Sequence, residues 1–295
     1  MLMELEALCD LAIKAAYLAG EVINQYRSSE FEVGHKQVGD STASQIVTEV
    51  DRKAQQVIIE TLAPSLEAHN LALLAEESTD DRQRFEKPAF WCIDPLDGTL
   101  AFVEKQPGFS VSIALVSQTG EPLIGVVYDP LQKDLYHAIK NRGAFINAKA
   151  LILPALDKNA PLLLTTDRSF NQHPWLSQTR QGLEQIAEKS GLPGAGIAFK
   201  VGAVMNACTI LRQPNYCYFK YPRAGHSGGS VWDYAATACL FHEAGGIATD
   251  IYGKTLDLNR RESTFINHKG LLYTADKTLA EQLIILNHQL ESSPA

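Results

Sequence analysis

FWCIDPLDGT, residues 90–99, runs from an apolar stretch straight into two acidic residues and a glycine. Phe90, Trp91, Cys92 and Ile93 read as a buried strand, and residues 94–99 read as a tight turn. Pro95 restrains the backbone and Gly98 admits an unusual dihedral or a close backbone approach, so Asp94 and Asp97 can converge where the strand ends. That geometry suits a hard cation: magnesium takes oxygen ligands in octahedral array, and carboxylates plus a backbone carbonyl such as that of Leu96 supply them. A helix beginning near Thr99 would turn its free N–H groups toward a phosphate. By itself an acidic turn is an ordinary loop feature. Here the apolar strand argues for burial, and two adjacent carboxylates buried without counter-charge cost several kcal/mol each, so a bound cation is the simpler account.

Upstream, Leu5, Leu8, Cys9, Ala12, Ile13, Ala16 and Ile23 recur at helical spacing, with Lys14, Glu21 and Gln25 largely off that stripe. Residues 34–45 read as an exposed, mobile loop, and a second helix is expected from about Val50 to Pro64. LALLAEES (71–78) reads as a strand ending in acidic residues. Downstream, SVSIALVS (110–117), PLIGVVYD (122–129) and DLYHAIK (134–140) read as an antiparallel meander. Beyond it, LLLTTD (162–167) reads as a strand, residues 175–191 as a helix ended by Gly191, and residues 230–246 as a helix ended by Gly245. An α+β half, residues 1–155, is therefore expected to pack on an α/β half, residues 156–295, as one compact unit.

The chain has 295 residues, 45% apolar, enough for a large core. A formal charge of −8 argues against a broad surface for a nucleic-acid polymer. Metals can still reverse the sign of an acidic pocket, so a small anion remains an eligible ligand. The five cysteines form no CxxC pair and no ligand ladder, which points to reduced thiols and a cytoplasmic protein. The first 14 residues lack the basic and apolar regions of a signal peptide. No apolar run reaches the ~18 residues of a spanning helix, which leaves peripheral association with the inner membrane open.

WCIDPLDGT (91–99) resembles the aspartate signature of the inositol monophosphatase superfamily, and SVWDYAAT (230–237) resembles its downstream signature. LLAEES, IVTEVD (46–51) and GEPLIGVVYDP (120–130) are similar to its upstream acidic pair, its Asp-bearing helix start and its hairpin. Several ordered motifs carry far more weight than one. The resemblance implies a layered α-β-α-β-α sandwich of the inositol monophosphatase and fructose-1,6-bisphosphatase type. It further implies a phosphomonoesterase using two or three Mg²⁺ ions, inhibited by Li⁺ and Ca²⁺, that acts on small phosphorylated substrates as a monomer or homodimer.

By this resemblance Glu76, Asp94, the Leu96 carbonyl, Asp97 and Asp233 hold the metals. Asp51 accepts a hydrogen bond from Thr99, whose hydroxyl orients the attacking water, and Glu76 doubles as base. Gly98, Thr99, Arg223 and Asp233 contact substrate. Each role has a plainer competitor: Glu76 and Glu77 as solvated strand-end groups, Asp51, Thr99 and Asp233 as helix caps, Arg223 as a solvated loop charge.

Within the superfamily the chain is most similar to bacterial 3′(2′),5′-bisphosphate nucleotidases, which convert adenosine 3′,5′-bisphosphate to AMP and phosphate. Residues 98–115, Tyr221-Pro222-Arg223 and Arg261-Glu262-Ser263 carry that likeness. It departs at Gly202-Ala203-Val204-Met205-Asn206, where hydroxyls and a lysine are missing, and in the longer loop 224–230. An inositol or sugar monophosphatase is the alternative, and a non-catalytic binding protein of the same fold ranks last.

Overall fold

Two long helices come first, α1 (Leu5–Ser28) and α2 (Thr42–Ala68), in a computed structural model that describes residues 4–28, 42–200, 202–223 and 229–292. α1 buries Leu8, Cys9, Ala12, Ala16 and Ile23, as its periodicity predicts, with Ala15 and Ala19 completing the face. α2 departs from expectation at both ends. It begins at Thr42, so residues 42–45 are helical, while residues 34–41 of the expected loop lie outside the described residues. It also continues through Pro64 to Ala68. An interior proline removes one N–H donor, but this one lies within the last turns, where packing compensates. Next to it, the Ser65 hydroxyl donates to the Leu62 carbonyl at 2.6 Å and accepts from Trp91 Nε1 at 2.9 Å.

The chain then builds a seven-stranded sheet in sequence order: β1 (Ala72–Ala75), β2 (Ala89–Asp97), β3 (Ser110–Ser117), β4 (Pro122–Asp129), β5 (Asp134–Ile139), β6 (Gly143–Ile146) and β7 (Lys149–Ala150). β1 and β2 are parallel, and the rest pair antiparallel with their neighbours, β3, β4 and β5 forming the expected meander. A five-residue helix, α3 (Thr99–Val103), joins β2 to the segment before β3.

A second sheet is built from β8 (Leu162–Asp167), β9 (Ala195–Lys200), β10 (Tyr216–Lys220), β11 (Ile247–Thr249) and β12 (Leu271–Thr274) in the order β11-β12-β10-β8-β9. β8 runs parallel to β9 and β10, and β12 is antiparallel to β10 and β11. Its helices are α4 (Leu176–Lys189), α5 (Ala203–Arg212), α6 (Val231–Ala244) and α7 (Lys277–Ser292). α6 ends at Gly245, as expected, in the left-handed conformation at φ 81°.

The packing is layered α-β-α-β-α: α1 and α2, the first sheet, α5 and α6, the second sheet, then α4 and α7. Three apolar clusters fill the spaces between the layers. Along β2, Trp91 and Ile93 join the cluster under α1 and α2, while Phe90 and Cys92 join the cluster shared with α5 and α6. Both faces of the strand are covered, which is why its sequence is continuously apolar. All five cysteines are buried free thiols. Among the described residues no helix is long and apolar enough to cross a membrane.

Candidate functional site

The alternation along β2 places Asp94 on the Cys92 face, toward α6. Asp97 would by parity point the other way. It does not, because the β2–β3 register slips by one residue between Asp94, opposite Ser112, and Asp97, opposite Ser110. A bulge of this kind returns the later side chain to the first one's face. Carboxylate oxygens of Asp94, Asp97 and Asp233 consequently lie within 4.8 Å of one another.

Each carboxylate is held by backbone. Asp94 Oδ1 accepts from the Leu96 N–H at 3.0 Å. Asp97 accepts from Ala203 N at 3.1 Å and Val204 N at 3.0 Å, so a residue of the first half caps α5 of the second. The segment that departs from the nucleotidase pattern therefore directs these two N–H groups at Asp97. Gly98 and Gly202 frame this junction, both at φ 82°. A Cβ at Gly98 would lie 2.2 Å, and one at Gly202 2.1 Å, from the carbonyl oxygen of Gly108. Asp233, at the third position of α6, accepts from Ser230 N at 2.6 Å, so its capping competitor is real and coexists with its place in the cluster.

Glu76 comes directly after β1, its N–H donating to the Ile93 carbonyl at 3.1 Å. Gln55 of α2 steadies the residues after it, accepting from Glu77 N at 2.9 Å and donating to Ser78 Oγ at 2.8 Å. Asp51, one turn earlier on α2, is buried in the helix interior. It is neither a cap nor at the helix start that its motif suggests. Thr99 is the first residue of α3, with Gly98 in the capping position, so Thr99 is no cap either. Its hydroxyl donates to the Leu96 carbonyl at 3.3 Å rather than to Asp51, the acceptor that the resemblance implies. A hydroxyl has one proton to give, and here the neighbouring carbonyl takes it.

Crowding sets the electrostatics. Burial, then repulsion from Glu76, Asp97 and Asp233, holds the Asp94 carboxyl well above the usual range. Burial and Asp233 do the same to Asp97, against the two α5 N–H groups. Asp233 is raised by burial, with the Ser230 N–H and Lys220 opposing. Glu76 is exposed at the rim yet flanked by protein, and partial desolvation together with repulsion from Asp233 pushes it up to about 7. Asp51 is pushed up to about 8 by burial, then by Glu77 and Glu76. Converging oxygen donors whose charge the protein leaves largely uncompensated fit hard divalent cations.

Beside the cluster, a cavity of about 370 Å³ is lined by Asp167, Phe170, His173, Lys220, Tyr221 and Arg223, among others. Arg223 is exposed, its N–H bonded to the Asn267 carbonyl at 3.0 Å. The loop residues 224–228, with His226, lie outside the described residues. Lys220 was missed by sequence reasoning. It closes β10 with Nζ 2.8 Å from Asp167 Oδ2 at the end of adjacent β8, and lies over the rings of Tyr218 and Tyr234. The available signal was a lysine ending the apolar run YCYFK, residues 216–220.

The model of the inositol monophosphatase family matches residues 4–291. Inositol monophosphatase 2 of Solanum lycopersicum is 30% identical over 270 residues, 89% of this chain and 94% of the relative. The Nus factor SuhB of Pasteurella multocida is 32% identical over 248 residues, 83% and 85% of the two chains. Inositol monophosphatase-II of Staphylococcus aureus shares the fold at TM-score 0.74 and 22% identity, covering 97% of this chain and 98% of its own. With a family match spanning nearly its whole length, this chain belongs to the inositol monophosphatase family.

Proposed function

We propose that the chain is a magnesium-dependent phosphomonoesterase whose preferred substrate carries a second anionic group, with adenosine 3′,5′-bisphosphate, hydrolysed to AMP and phosphate, as the leading case. The convergence of Asp94, Asp97 and Asp233 within 4.8 Å is the observation that carries it. Together with Glu76 and the Leu96 carbonyl, these residues would hold two or three Mg²⁺ ions. Such ions neutralise phosphate charge and lower the cost of deprotonating water.

The chain's own groups do the rest. Glu76, beside the proposed ions, would take the proton from the attacking water, and a bound cation would keep its carboxylate deprotonated for that role. Asp51 lies buried on α2 near Glu76 and Glu77, and Thr99, whose own proton goes to the Leu96 carbonyl, would position the attacking water by accepting from it. Gly98 allows the chain to pass Gly108 closely, holding Thr99 and Asp97 to their places. Lys220 and Arg223 share the adjacent cavity and suit a second phosphate, Arg223 by its planar fork and Lys220 as a point charge.

A phosphate-release assay with Mg²⁺ or chelator, across adenosine 3′,5′-bisphosphate, inositol 1-phosphate and sugar phosphates, tests the proposal. Li⁺ and Ca²⁺ should inhibit, the latter because its looser coordination suits the chemistry poorly. Arg223→Ala should raise KM for the bisphosphate about 10- to 100-fold, a charge-assisted bond's worth, and leave monophosphates unaffected. The second reading, an inositol or other polyol monophosphatase, is favoured by the departure at residues 202–206. Faster turnover of inositol 1-phosphate by the unaltered protein would establish it.

A further inference from the structure

The segment around Arg260-Arg261-Glu262-Ser263 has no part in the proposed chemistry, yet it returns from the second half of the chain to grip the first. Arg84, in the turn Gln83–Phe85 beyond the Glu76 segment, is 2% exposed. All three of its guanidinium nitrogens are engaged: Nε on Asp80 Oδ2 at 3.0 Å, Nη1 on Asn259 Oδ1 at 2.5 Å and Nη2 on the Arg260 carbonyl at 3.0 Å. Asn259 answers with Nδ2 on the carbonyls of Arg84 at 3.2 Å and Gln118 at 2.8 Å. Arg82 Nη2 reaches the Arg261 carbonyl at 3.3 Å.

From this anchor the connection runs to the metal cluster. Arg260 Nη1 donates to the Phe265 carbonyl at 3.1 Å. Phe265 pairs with Ser230 in an isolated antiparallel bridge, and Val231 N donates to the Thr264 carbonyl at 2.9 Å. Ser230 is the residue whose N–H holds Asp233. One end of the path is thus fixed to the Gln83–Phe85 turn, which packs against β1 just ahead of Glu76, and the other to the helix start carrying Asp233.

We infer that Arg84, Asn259 and Arg260 are positioning residues for the metal centre, a clasp that sets how closely Asp233 of the second half approaches Glu76 and Asp94 of the first. A planar guanidinium engaged through all three of its nitrogens fixes relative orientation in a way an ammonium cannot. Uncompensated carboxylates repel one another, so the α6 start needs a tether to stay at ligand distance before a cation binds. Small displacements matter, because magnesium tolerates little departure from octahedral geometry.

The inference rests on the metal reading proposed for this site, and Mg²⁺ alone is the probe that separates the two. Calorimetric titration with Mg²⁺ would be run on the unaltered protein, Arg260→Ala and Arg84→Lys, each checked for folding by circular dichroism and thermal melting. Arg260→Ala leaves the buried Arg84 fork in place, so it guards against loss of the fold. Both variants should bind Mg²⁺ about 10- to 100-fold more weakly, as loss of groups that orient ligands does, while kcat at saturating Mg²⁺ stays within about 3-fold. A purely structural role would lower melting temperature without that split. Unchanged Mg²⁺ affinity in the folded variants overturns the clasp and leaves the metal reading standing. Absence of Mg²⁺ binding by the unaltered protein overturns both.

Discussion

Asp97 is engaged from two sides, as a member of the acidic cluster and as the acceptor for both N–H groups that open α5. Asp94 has one backbone contact, which an amide oxygen could equally accept. The two should therefore respond differently to the same substitution. Asp94→Asn should abolish Mg²⁺-dependent turnover, yet melt in chelator at an unchanged or higher temperature, since it removes a carboxyl from a self-repelling group. Asp97→Asn should lose turnover and also about 1–3 kcal/mol of stability in chelator, because one N–H of α5 faces an amide NH₂. Paired melting curves and release assays check this, and equal melting temperatures would refute the distinction. Thr99→Ala should lower kcat by roughly 10²-fold with little change in Mg²⁺ affinity. If it loses only thermal stability, the Thr99 hydroxyl merely braces the Leu96 carbonyl. Asp94 and Asp97 were legible because four consecutive residues state the turn. Lys220 was not, because its partners Asp167 and Tyr234 lie 53 residues before and 14 after it, and only the pairing of β10 with β8 and the packing of α6 bring them together.

Elements were legible wherever one physical pattern dominated. The β3–β4–β5 meander came from apolar runs broken by turn residues, and α1 from its stripe. α2 was misjudged at both ends: polar residues 42–45 looked like loop, and Pro64 like a stop that neighbouring contacts of Ser65 override. The β2 bulge was invisible for a different reason, since a register slip belongs to two strands. So was the function of Gly202, which in sequence stands only within a departure from pattern. At φ 82° and ψ 115°, with a Cβ destined for 2.1 Å from the Gly108 carbonyl, it admits no side chain without backbone movement. Gly202→Ala should cost at least about 2 kcal/mol, measurable by urea unfolding. It should also weaken Mg²⁺ binding, because the displaced N–H groups of α5 hold Asp97. Parent-like unfolding would mean that the Gly108 segment yields freely.

At the scale of the molecule, the two sheets and their shared helix layer hold carboxylates together at one place, and the protonation of those groups couples the site to global stability. Asp51 at about 8, against 3.8 ordinarily, and Glu76 at about 7, against 4.5, have folded values raised above unfolded ones. Across the window from about 4 to about 8 the folded state retains protons that the unfolded chain has released. The unfolded state binds fewer, so stability contributed by these groups is complete below the window and is lost as pH rises through it. His137, His173 and His268 work in the opposite direction, since burial lowers them. Magnesium needs the deprotonated carboxylates, so its affinity, and the stabilisation it confers on the folded state, should grow over the same window. The melting temperature in chelator should fall between about pH 5.5 and about pH 8, and millimolar Mg²⁺ should raise it more at the upper pH than at the lower. Scanning fluorimetry at both values, with Asp94→Asn as the variant that cannot respond, measures the difference. A Mg²⁺-induced rise of the same size at both, or one that persists in Asp94→Asn, would place the cation somewhere other than this cluster.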